Sequence, residues 1–450
     1  MTNPMAARMA RTSMLCALAA LMAACMLAPK RAPRGVDTLV IVHANDMHAQ
    51  LRPDKQGNGG MARIATIVKS LKAERPDVLA LCAGDTVQGD AVSTIFKGSP
   101  IFEIANTIGF DASTLGNHEF DYGLEQLAEF RRIAEFPLLC CDILRGKKYI
   151  ADAPGRIFNV DGVRVGVAGV TTHEDIARKG LTFLPIEAAV REQVEALRPR
   201  SDLIVVLSHL GKEKDIELAE AVEGIDVIVG GHSHDAIETP IEAGGALIVQ
   251  AGARARYAGR LDLAIDLDSG EILSFEGRLI PADAQTVAPD PEAQALIDSW
   301  EAKVAETVET IIGQNPQALD TEQTTQALCR IWSEVFGTDF ATSFSGSIRG
   351  GLPQGELRVR DFYNVLPFDN TMFILQLTRD EAAEFVEGAQ FAEDKPLYSV
   401  AVNDYNGQQM IERLKLPEER IERTGVNWRD AILEHVKENG SLAPAAAAAR

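Results

Sequence analysis

Short apolar runs alternate along the chain with longer segments in which apolar residues recur every three or four positions. Runs of four to eight apolar residues are typical of strands buried on both faces, and the longer segments are typical of amphipathic helices. Clear examples are the helical pattern over residues 61–74 and the apolar run over residues 78–82. Because this alternation continues to about residue 283, it predicts a layered α/β sandwich domain.

The pattern changes after residue 283 and predicts a second, smaller domain of the α+β type. Pro289 and Pro291 mark the boundary, and residues 292–312 are typical of one charged, amphipathic helix. Further helical patterns cover residues 323–336 and 428–438, and a strand-like run covers residues 371–377. The predicted order is a first domain over residues 36–283, a linker helix within 284–312, a second domain over 313–441 and a disordered tail over 442–450.

Five of the predicted strands in the first domain end in residues that bind metal ions well. The carboxyl ends of parallel strands are where open α/β sheets place their ligands. Buried strands normally end in turn residues that share no chemistry, so five such endings indicate convergence on metal. The clusters are Asn45-Asp46-Met47-His48, Gly84-Asp85, residues 116–121 (GNHEFD), Ser208-His209 and residues 230–234 (GGHSH).

The candidate metal ligands are four histidines, two aspartates and one asparagine. This donor set suits a divalent ion such as zinc or manganese. Seven ligands exceed what one tetrahedral ion needs and fit two ions that share one carboxylate, for which Asp85 is the candidate. Two such ions act on both the attacking and the leaving oxygen of a displacement. The seven are Asp46, His48, Asp85, Asn117, His209, His232 and His234.

His118 is then left free of metal, and Asp121 follows three residues later. An aspartate at that spacing can hold one ring nitrogen of the histidine and bias its protonation. A protonated His118 beside the metals would stabilise a phosphoryl transition state or protonate the leaving group. His43 and His173 lie outside the clusters, and we expect no ligand role for them.

These motifs resemble those of the two-domain metallophosphoesterases called 5′-nucleotidases, a family that includes periplasmic UDP-sugar hydrolases. The resemblance implies a calcineurin-like first domain, in which a hydroxide shared by two metal ions attacks the phosphate. It implies that Asp46, His48, Asp85 and His234 hold one ion and that Asp85, Asn117, His209 and His232 hold the other. His118 and Asp121 would form the catalytic dyad.

In the second domain, the resemblance rests on a glycine-containing turn that ends in Arg349 and on residues 364–370 (NVLPFDN). It implies that Arg349 binds phosphate and that Phe368 stacks on a base, with Asn370 beside it. The alternatives are a plain turn or surface residue for Arg349 and core packing for Phe368. The chain departs from the family at residues 406–410, where a GGDGY loop is usual, and around residues 319–326, where an arginine is usual.

The net charge of −21 argues against a nucleic-acid polymer as partner, because phosphate contacts need a basic surface. It does not exclude a small phosphate ester, since metal ions dominate the field at their own site. We therefore expect a hydrolase of phosphate esters, with nucleotides as the leading substrates. Two alternatives stay open: a surface lipoprotein that binds metal or nucleotide without turnover, and a relative that cleaves thiosulfonates. Retention of both His118 and Asp121 favours the enzyme.

Residues 1–25 have the pattern of an export signal, with a basic start, an apolar middle and small residues at the end. The sequence Leu21-Met22-Ala23-Ala24-Cys25 resembles a bacterial lipoprotein box, in which Cys25 would be lipidated. The alternative is ordinary cleavage of the export signal near Cys25, without lipidation. Residues 26–35 would form a short tether. We therefore expect an exported bacterial protein, periplasmic or membrane-anchored, that contacts a membrane only through its lipid.

Overall fold

The computed structural model describes residues 34–54, 56–174, 176, 180–392 and 395–442. The predicted signal segment with Cys25 and the predicted tether up to residue 33 lie outside these residues, as does the predicted tail beyond Leu442. Within the described part, no helix combines the length and the apolar character that crossing a membrane would need.

The first domain begins with a strand and continues as an alternation of strands and helices. Its strands are β1 Val36–Ala44, β2 Val78–Cys82, β3 Ala112–Thr114, β4 Leu138–Leu139, β5 Ile143–Arg145, β6 Lys148–Tyr149, β7 Gly155–Val160, β8 Val163–Thr171, β9 Thr182–Phe183, β10 Leu203–His209, β11 Val227–Gly230, β12 Ile241–Ala243, β13 Ala246–Val249, β14 Tyr257–Asp266 and β15 Glu271–Pro281. Its helices are α1 Met61–Glu74, α2 Ala91–Ile95, α3 Ser99–Asn106, α4 Gly123–Ile133, α5 Ile186–Leu197 and α6 Lys212–Ala221.

Two six-stranded sheets form the centre of this domain, in the orders β15-β14-β1-β2-β3-β4 and β12-β13-β11-β10-β8-β7. In β1, Leu39 and Ile41 pack in the core between the two sheets, whereas Val40 and Val42 belong to the core on the opposite face of the first sheet. Since both faces of the central strands are buried, their sequences are continuous apolar runs. The predicted α/β sandwich is confirmed.

A long helix, α7 Pro291–Val308, leads to the second domain. The strands there are β16 Ile311–Asn315, β17 Phe340–Ala341, β18 Gly355–Arg358, β19 Thr371–Leu377, β20 Tyr398–Asn403 and β21 Ile421–Asn427. The helices are α8 Thr321–Phe336, α9 Val359–Val365, α10 Arg379–Ala383, α11 Asp404–Leu414 and α12 Trp428–Asn439. A four-stranded sheet, β17-β20-β19-β21, lies beside the pair β16-β18. Trp332 and Trp428 stack in its core with ring centroids 5.4 Å apart.

The sequence-based prediction is wrong at the end of the linker helix. The linker helix ends at Val308 rather than at residue 312, because Ile311 and Ile312 enter β16 and pair with β18. β-Branched residues next to a partner strand favour extended backbone over a further helical turn. Residues 406–410 lie within helix α11, whose N-terminus is capped by the Asn403 side chain accepting from the Asn406 N–H.

An ionic network joins the two domains through α7. Glu301 on α7 accepts from Arg52, which follows β1, at 3.0 and 2.6 Å, and from Arg360 on α9 at 3.3 and 2.5 Å. Arg360 also donates to Glu309 at 2.8 Å and lies 3.6 Å from Asp90. Glu301 is 6% exposed, so this interdomain network places its central carboxylate away from water.

Replacing Glu301 by glutamine should lower the free energy of unfolding by about 2–3 kcal/mol, because it removes the charge that compensates two arginines while keeping one acceptor oxygen. Urea unfolding followed by the fluorescence of Trp300, one residue away on α7, measures the change. Glu292→Gln on the same helix is the control, since Glu292 is 72% exposed and paired with Lys69. Equal stabilities of the two variants would contradict a stabilising role for the network.

Candidate metal centre and active site

The seven predicted metal ligands lie together at the carboxyl ends of the central strands of both sheets. Five of the seven have left regular strand geometry: Asp46, His48, Asp85, His232 and His234 have φ between 46 and 74°. This left-handed conformation is uncommon for residues other than glycine and concentrates at functional sites. The turns after the strands therefore point several polar side chains back towards one place.

Three groups of potential ligand atoms are each compact enough to surround one cation, with all atoms of a group within 4.8 Å of one another. The first contains Asp46, His48 and His234, and the second contains Asp85, His209 and His232; a third, of His48, Asp85 and His118, shares one residue with each of them. The Asp85 Oδ2 atom lies 3.1 Å from His209 Nε2 and 3.9 Å from His48 Nε2, so it stands between the first two groups. The first two groups are compatible with the ligand sets that the family resemblance implies, and the assignment of ligands to two ions stays a prediction.

The buried donor atoms of the second group fit a metal ion. His209 is fully buried, its Nδ1–H donates to the Ala83 carbonyl at 2.6 Å, and its Nε2 faces the Asp85 carboxylate at 3.1 Å. A metal-ligating histidine is usually held in this way through its other nitrogen. The Asn117 Oδ1 atom is buried without a hydrogen-bond partner within the described residues. Both atoms offer a lone pair to a cation.

The buried carboxylates of the cluster favour a positive charge beside them. Burial disfavours a charged His209, but the neighbouring Asp85 and Asp46 outweigh burial and raise the pKa of His209 to about 10. A divalent cation between these groups would supply the same compensation. The residues present therefore fit the pair of metal ions that the donor set predicts.

Two residues that sequence reasoning did not single out hold the ligands in place. Glu119 accepts from the backbone N–H groups of Asp85, Thr86 and Gly116 at 3.0, 2.8 and 2.6 Å, so it ties two of the strand ends together. Asn45 donates to the carboxylate of Asp46 at 2.6 Å. The available signal was that both residues stand inside the motifs, close to a predicted ligand.

Gly116 is required by space rather than by conformation. A Cβ atom at this position would lie 2.1 Å from Oδ1 of Asp85. That same oxygen accepts from the His118 N–H at 3.0 Å. The glycine that opens the GNHEFD segment therefore lets the backbone approach the carboxylate placed between the two ligand groups.

His118 and Asp121 form a hydrogen-bonded pair at the edge of this cluster. The His118 Nδ1 and Asp121 Oδ2 atoms are 2.8 Å apart, and His118 Nε2 lies 3.9 Å from Asp85 Oδ2. Burial lowers the pKa of His118, but Asp121 and Asp85 outweigh it and raise the pKa to about 9. The pair can therefore keep a proton on the imidazole beside the metal ligands.

Arg349 of the second domain reaches the same point. Its Nη2 atom lies 3.1 Å from His118 Nε2, and its guanidinium carbon lies 5.2 Å from the centre of the Phe368 ring. The Phe368 ring is 5.6 Å from the His118 ring. The two residues predicted to bind substrate thus lie against the predicted catalytic histidine, and Arg349 is not a surface cation remote from it.

The last helix fixes the loop that carries Phe368. The backbone carbonyl of Phe368 accepts from Nε1 of Trp428 at 2.8 Å and from Nη1 of Arg429 at 3.1 Å, and both residues belong to α12. Arg429 also donates to the Leu366 carbonyl at 2.6 Å. Phe368 is half-buried, packs against the core of the second domain and lines a cavity. The ring thus both packs against the core and lines the cavity, and its stacking on a base stays a prediction.

A cavity of about 380 Å³ between the domains contains most of the predicted site. Its floor is formed by Asp85, Asn117, His232 and His234. The predicted catalytic pair and the three predicted substrate-binding residues, Asn370 included, line the same cavity, together with further residues that sequence reasoning did not single out. Among these are Phe344, Tyr405 and Gln409.

His43 and His173 lie outside the cluster, as expected. His43 is buried in β1, and burial lowers its pKa to about 4. His173 Nε2 lies 2.9 Å from Asp142 Oδ2, and Asp142 also accepts from the Cys140 thiol at 3.2 Å. Burial raises the pKa of Cys140, so this thiol is a poor nucleophile.

Comparisons with known proteins agree with both domains. The profile of the calcineurin-like phosphoesterases matches residues 39–236, and that of the 5′-nucleotidase C-terminal domain matches residues 303–401. A trifunctional nucleotide phosphoesterase of Bacillus subtilis is 27% identical over 465 residues, which cover 88% of this chain but 31% of the relative. The chain thus spans about a third of that protein.

A 5′-nucleotidase of Diplobatis ommata is 29% identical over 401 residues, covering 75% of this chain and 68% of the relative. The structure of a 5′-nucleotidase precursor from Thermus thermophilus superimposes with a TM-score of 0.82 at 24% identity, covering 90% of this chain and 97% of the other. That likeness confirms the fold. Together with the two matched profiles, these relatives show that the chain is a two-domain member of the 5′-nucleotidase family of metallophosphoesterases.

Proposed function

We propose that this protein is a metal-dependent hydrolase that removes phosphate from nucleotides or related phosphate esters, using two divalent ions, zinc or manganese. One observation carries the proposal. The His118–Asp121 pair, at least one member of each group of metal ligands and Arg349 of the other domain line one cavity. A protein that only bound metal or nucleotide would need no hydrogen-bonded acid–base pair beside the ligands.

Each residue has a part in this reaction. Two divalent ions, when bound, would acidify a water molecule and neutralise phosphoryl oxygens. Arg349 lies where its guanidinium can bind the phosphate that reaches His118. His118 holds a proton at Nε2 for the leaving oxygen, and Asp121 orients the ring through Nδ1.

The leaving group would occupy the same cavity. Phe344, Phe368 and Tyr405 supply aromatic surface in its lining, and Asn370 and Gln409 supply amide donors and acceptors. Aromatic rings with neutral amides suit a flat, polar heterocycle such as a nucleobase. The names of the relatives, nucleotide phosphoesterase and 5′-nucleotidase, favour the same substrate class.

A substrate panel tests the proposal. Protein reconstituted with manganese and with zinc is assayed on nucleoside monophosphates, nucleotide sugars, cyclic nucleotides, phenyl phosphate and a thiosulfate conjugate. We expect release of inorganic phosphate from a nucleotide and loss of turnover after chelation. Turnover of the thiosulfate conjugate alone, or of no compound, would overturn the proposed function.

Arg349→Ala should raise KM for a nucleotide by about tenfold or more, because it removes a charge-assisted hydrogen bond to phosphate. Steady-state kinetics with metal-saturated protein gives KM and kcat separately. Arg330→Ala is the matched control: Arg330 lies on α8 in the same domain and donates to the Leu442 carbonyl. An unchanged KM would return Arg349 to a structural role in its turn.

We further propose that the chain is exported and either periplasmic or anchored through a lipid on Cys25. The basic start, the apolar middle and the LMAAC sequence of the first 25 residues support this proposal. Mass spectrometry of the mature N-terminus tests it in a bacterial host. A mature chain that retains Met1 would contradict export, and one that begins unmodified after Cys25 would contradict the anchor.

A further inference from the structure

A second cavity, of about 310 Å³, adjoins the first between the two domains. Gln88 and Arg349 line both cavities, and His48 lines the second, so this space reaches the metal-ligand cluster. The reaction proposed above uses only one of its five arginines. The charged lining residues are Arg52, Arg254, Arg256, Arg349 and Arg360, with Asp54 and Asp90.

The arginines differ in how their charge is compensated. Arg52 and Arg360 belong to the interdomain network and are paired with Glu301 and Glu309. Arg256 lies 3.3 Å from the Asp54 carboxylate. None of the ion pairs within the described residues includes Arg254, whose Nη2 atom donates to the Arg349 carbonyl at 2.5 Å. The positive charge of Arg254 therefore lacks a carboxylate partner there.

Arg254 is also fixed in position. Its backbone has φ of 58°, its N–H donates to the Asp46 carbonyl at 2.7 Å, and its guanidinium is held by the Arg349 carbonyl. Burial, followed by the positive charges of Arg349 and Arg256, lowers the pKa of Arg254. Holding like charges together in a partly buried place is unfavourable unless an anion compensates them.

Gln88 gives an independent indication of a ligand. This residue is 2% exposed, and its Nε2 makes no hydrogen bond within the described part of the chain. It lies where the two cavities meet. A buried N–H donor without an acceptor costs free energy, so the site favours a ligand that carries acceptor oxygens.

We propose that the second cavity binds a second phosphate group, held by Arg254, Arg256 and Gln88 beside the phosphate that Arg349 and the metal ligands bind. Guanidinium groups match the oxygens of a phosphate in geometry and charge. The group could be carried by the substrate, as in a nucleoside diphosphate, or be free inorganic phosphate. The first source rests on the proposed function, and the second does not.

Calorimetric titration of the manganese-loaded protein with inorganic phosphate and with pyrophosphate tests the site directly. We expect wild type to bind two phosphate ions, or one pyrophosphate, per chain. Arg254→Gln should bind one phosphate ion and should bind pyrophosphate about tenfold more weakly or worse. Arg256→Gln, which removes a half-exposed guanidinium, should also weaken the binding of pyrophosphate. Arg132→Gln, at an exposed arginine on α4 paired with Glu129, is the control with unchanged binding.

Kinetics separates the two sources. If the second phosphate belongs to the substrate, Arg254→Gln raises KM for a nucleoside diphosphate about tenfold more than KM for phenyl phosphate. If the second phosphate is a free inorganic ion, Arg254→Gln weakens inhibition by inorganic phosphate instead. Binding of one phosphate ion per chain in wild type and both variants, together with equal affinities for pyrophosphate, would overturn the second site. Absence of all turnover would reject the proposed function, while the titration would still decide whether the site exists.

Discussion

Asp85→Asn is expected to lower kcat by about 10³-fold or more, because this one carboxylate serves both cation positions of the proposed reaction. Its Oδ2 atom lies 3.1 Å from His209 Nε2 and 3.9 Å from His48 Nε2, one residue from each ligand group. An amide of the same shape removes the negative charge that makes two nearby cations tolerable. We therefore also expect fewer than two bound ions per chain.

Elemental analysis after loading and gel filtration measures the metal content, and phosphate release from phenyl phosphate measures kcat. Asp111→Asn is the matched control. Asp111 precedes β3, accepts from the Ala80 N–H at 2.7 Å and pairs with Lys72, away from the cluster. It should keep both ions and near-normal turnover. Two tightly bound ions together with wild-type kcat in Asp85→Asn would rule out a shared carboxylate.

The ligand cluster could be predicted because each ligand lies close in sequence to the strand that positions it. Each ligand lies within four residues of the end of a strand, and the edge at which parallel strands end is fixed by the sheet itself. His209 illustrates the remaining error, since it is the last residue of β10 rather than a residue after the strand. An error of two residues in a strand boundary leaves the side chain at the same edge.

The supporting residues could not be predicted because their partners are remote in sequence. Arg254 and Arg349 meet across 95 residues, and Glu301 and Arg360 across 59. Glu119 stands inside a predicted motif, but its role depends on N–H groups contributed by the loop after another strand. Spacing along the chain carries no signal for such contacts, which arise only when segments remote in sequence pack together.

The two domains contribute different parts of the candidate site. The first domain contributes the candidate metal ligands and His118, whereas Arg349 and Phe368 come from the second. Arg349 lies 3.1 Å from His118 across the domain interface, and the network around Glu301 also spans that interface. In the proposed reaction, phosphate binding by Arg349 and proton donation by His118 would therefore both depend on how the domains pack.

His118→Ala is expected to lower kcat on a nucleotide by about 10²- to 10⁴-fold while both metal ions remain bound, because proton transfer to the leaving oxygen is lost. The groups Asp46-His48-His234 and Asp85-His209-His232 are complete without His118, whose Nδ1 is already engaged by Asp121 at 2.8 Å, so the third group, which contains His118, is not required for two ions. Retained metal with lost turnover distinguishes this variant from Asp85→Asn. His435→Ala, at a buried histidine of α12 far along the chain, is the control for losing an imidazole.

The choice of leaving group reveals what His118 does. An alkyl leaving oxygen needs a proton as the P–O bond breaks, whereas an activated nitrophenyl oxygen leaves without one. If His118 donates a proton, His118→Ala loses far more kcat on a nucleoside monophosphate than on nitrophenyl phosphate, and Asp121→Asn shows the same preference with a smaller loss. Equal losses on both esters would assign His118 to charge stabilisation beside Arg349, since that effect does not depend on the leaving group. Full activity of His118→Ala on the nucleotide would remove the pair from the mechanism and, with it, the observation on which the proposed hydrolase depends.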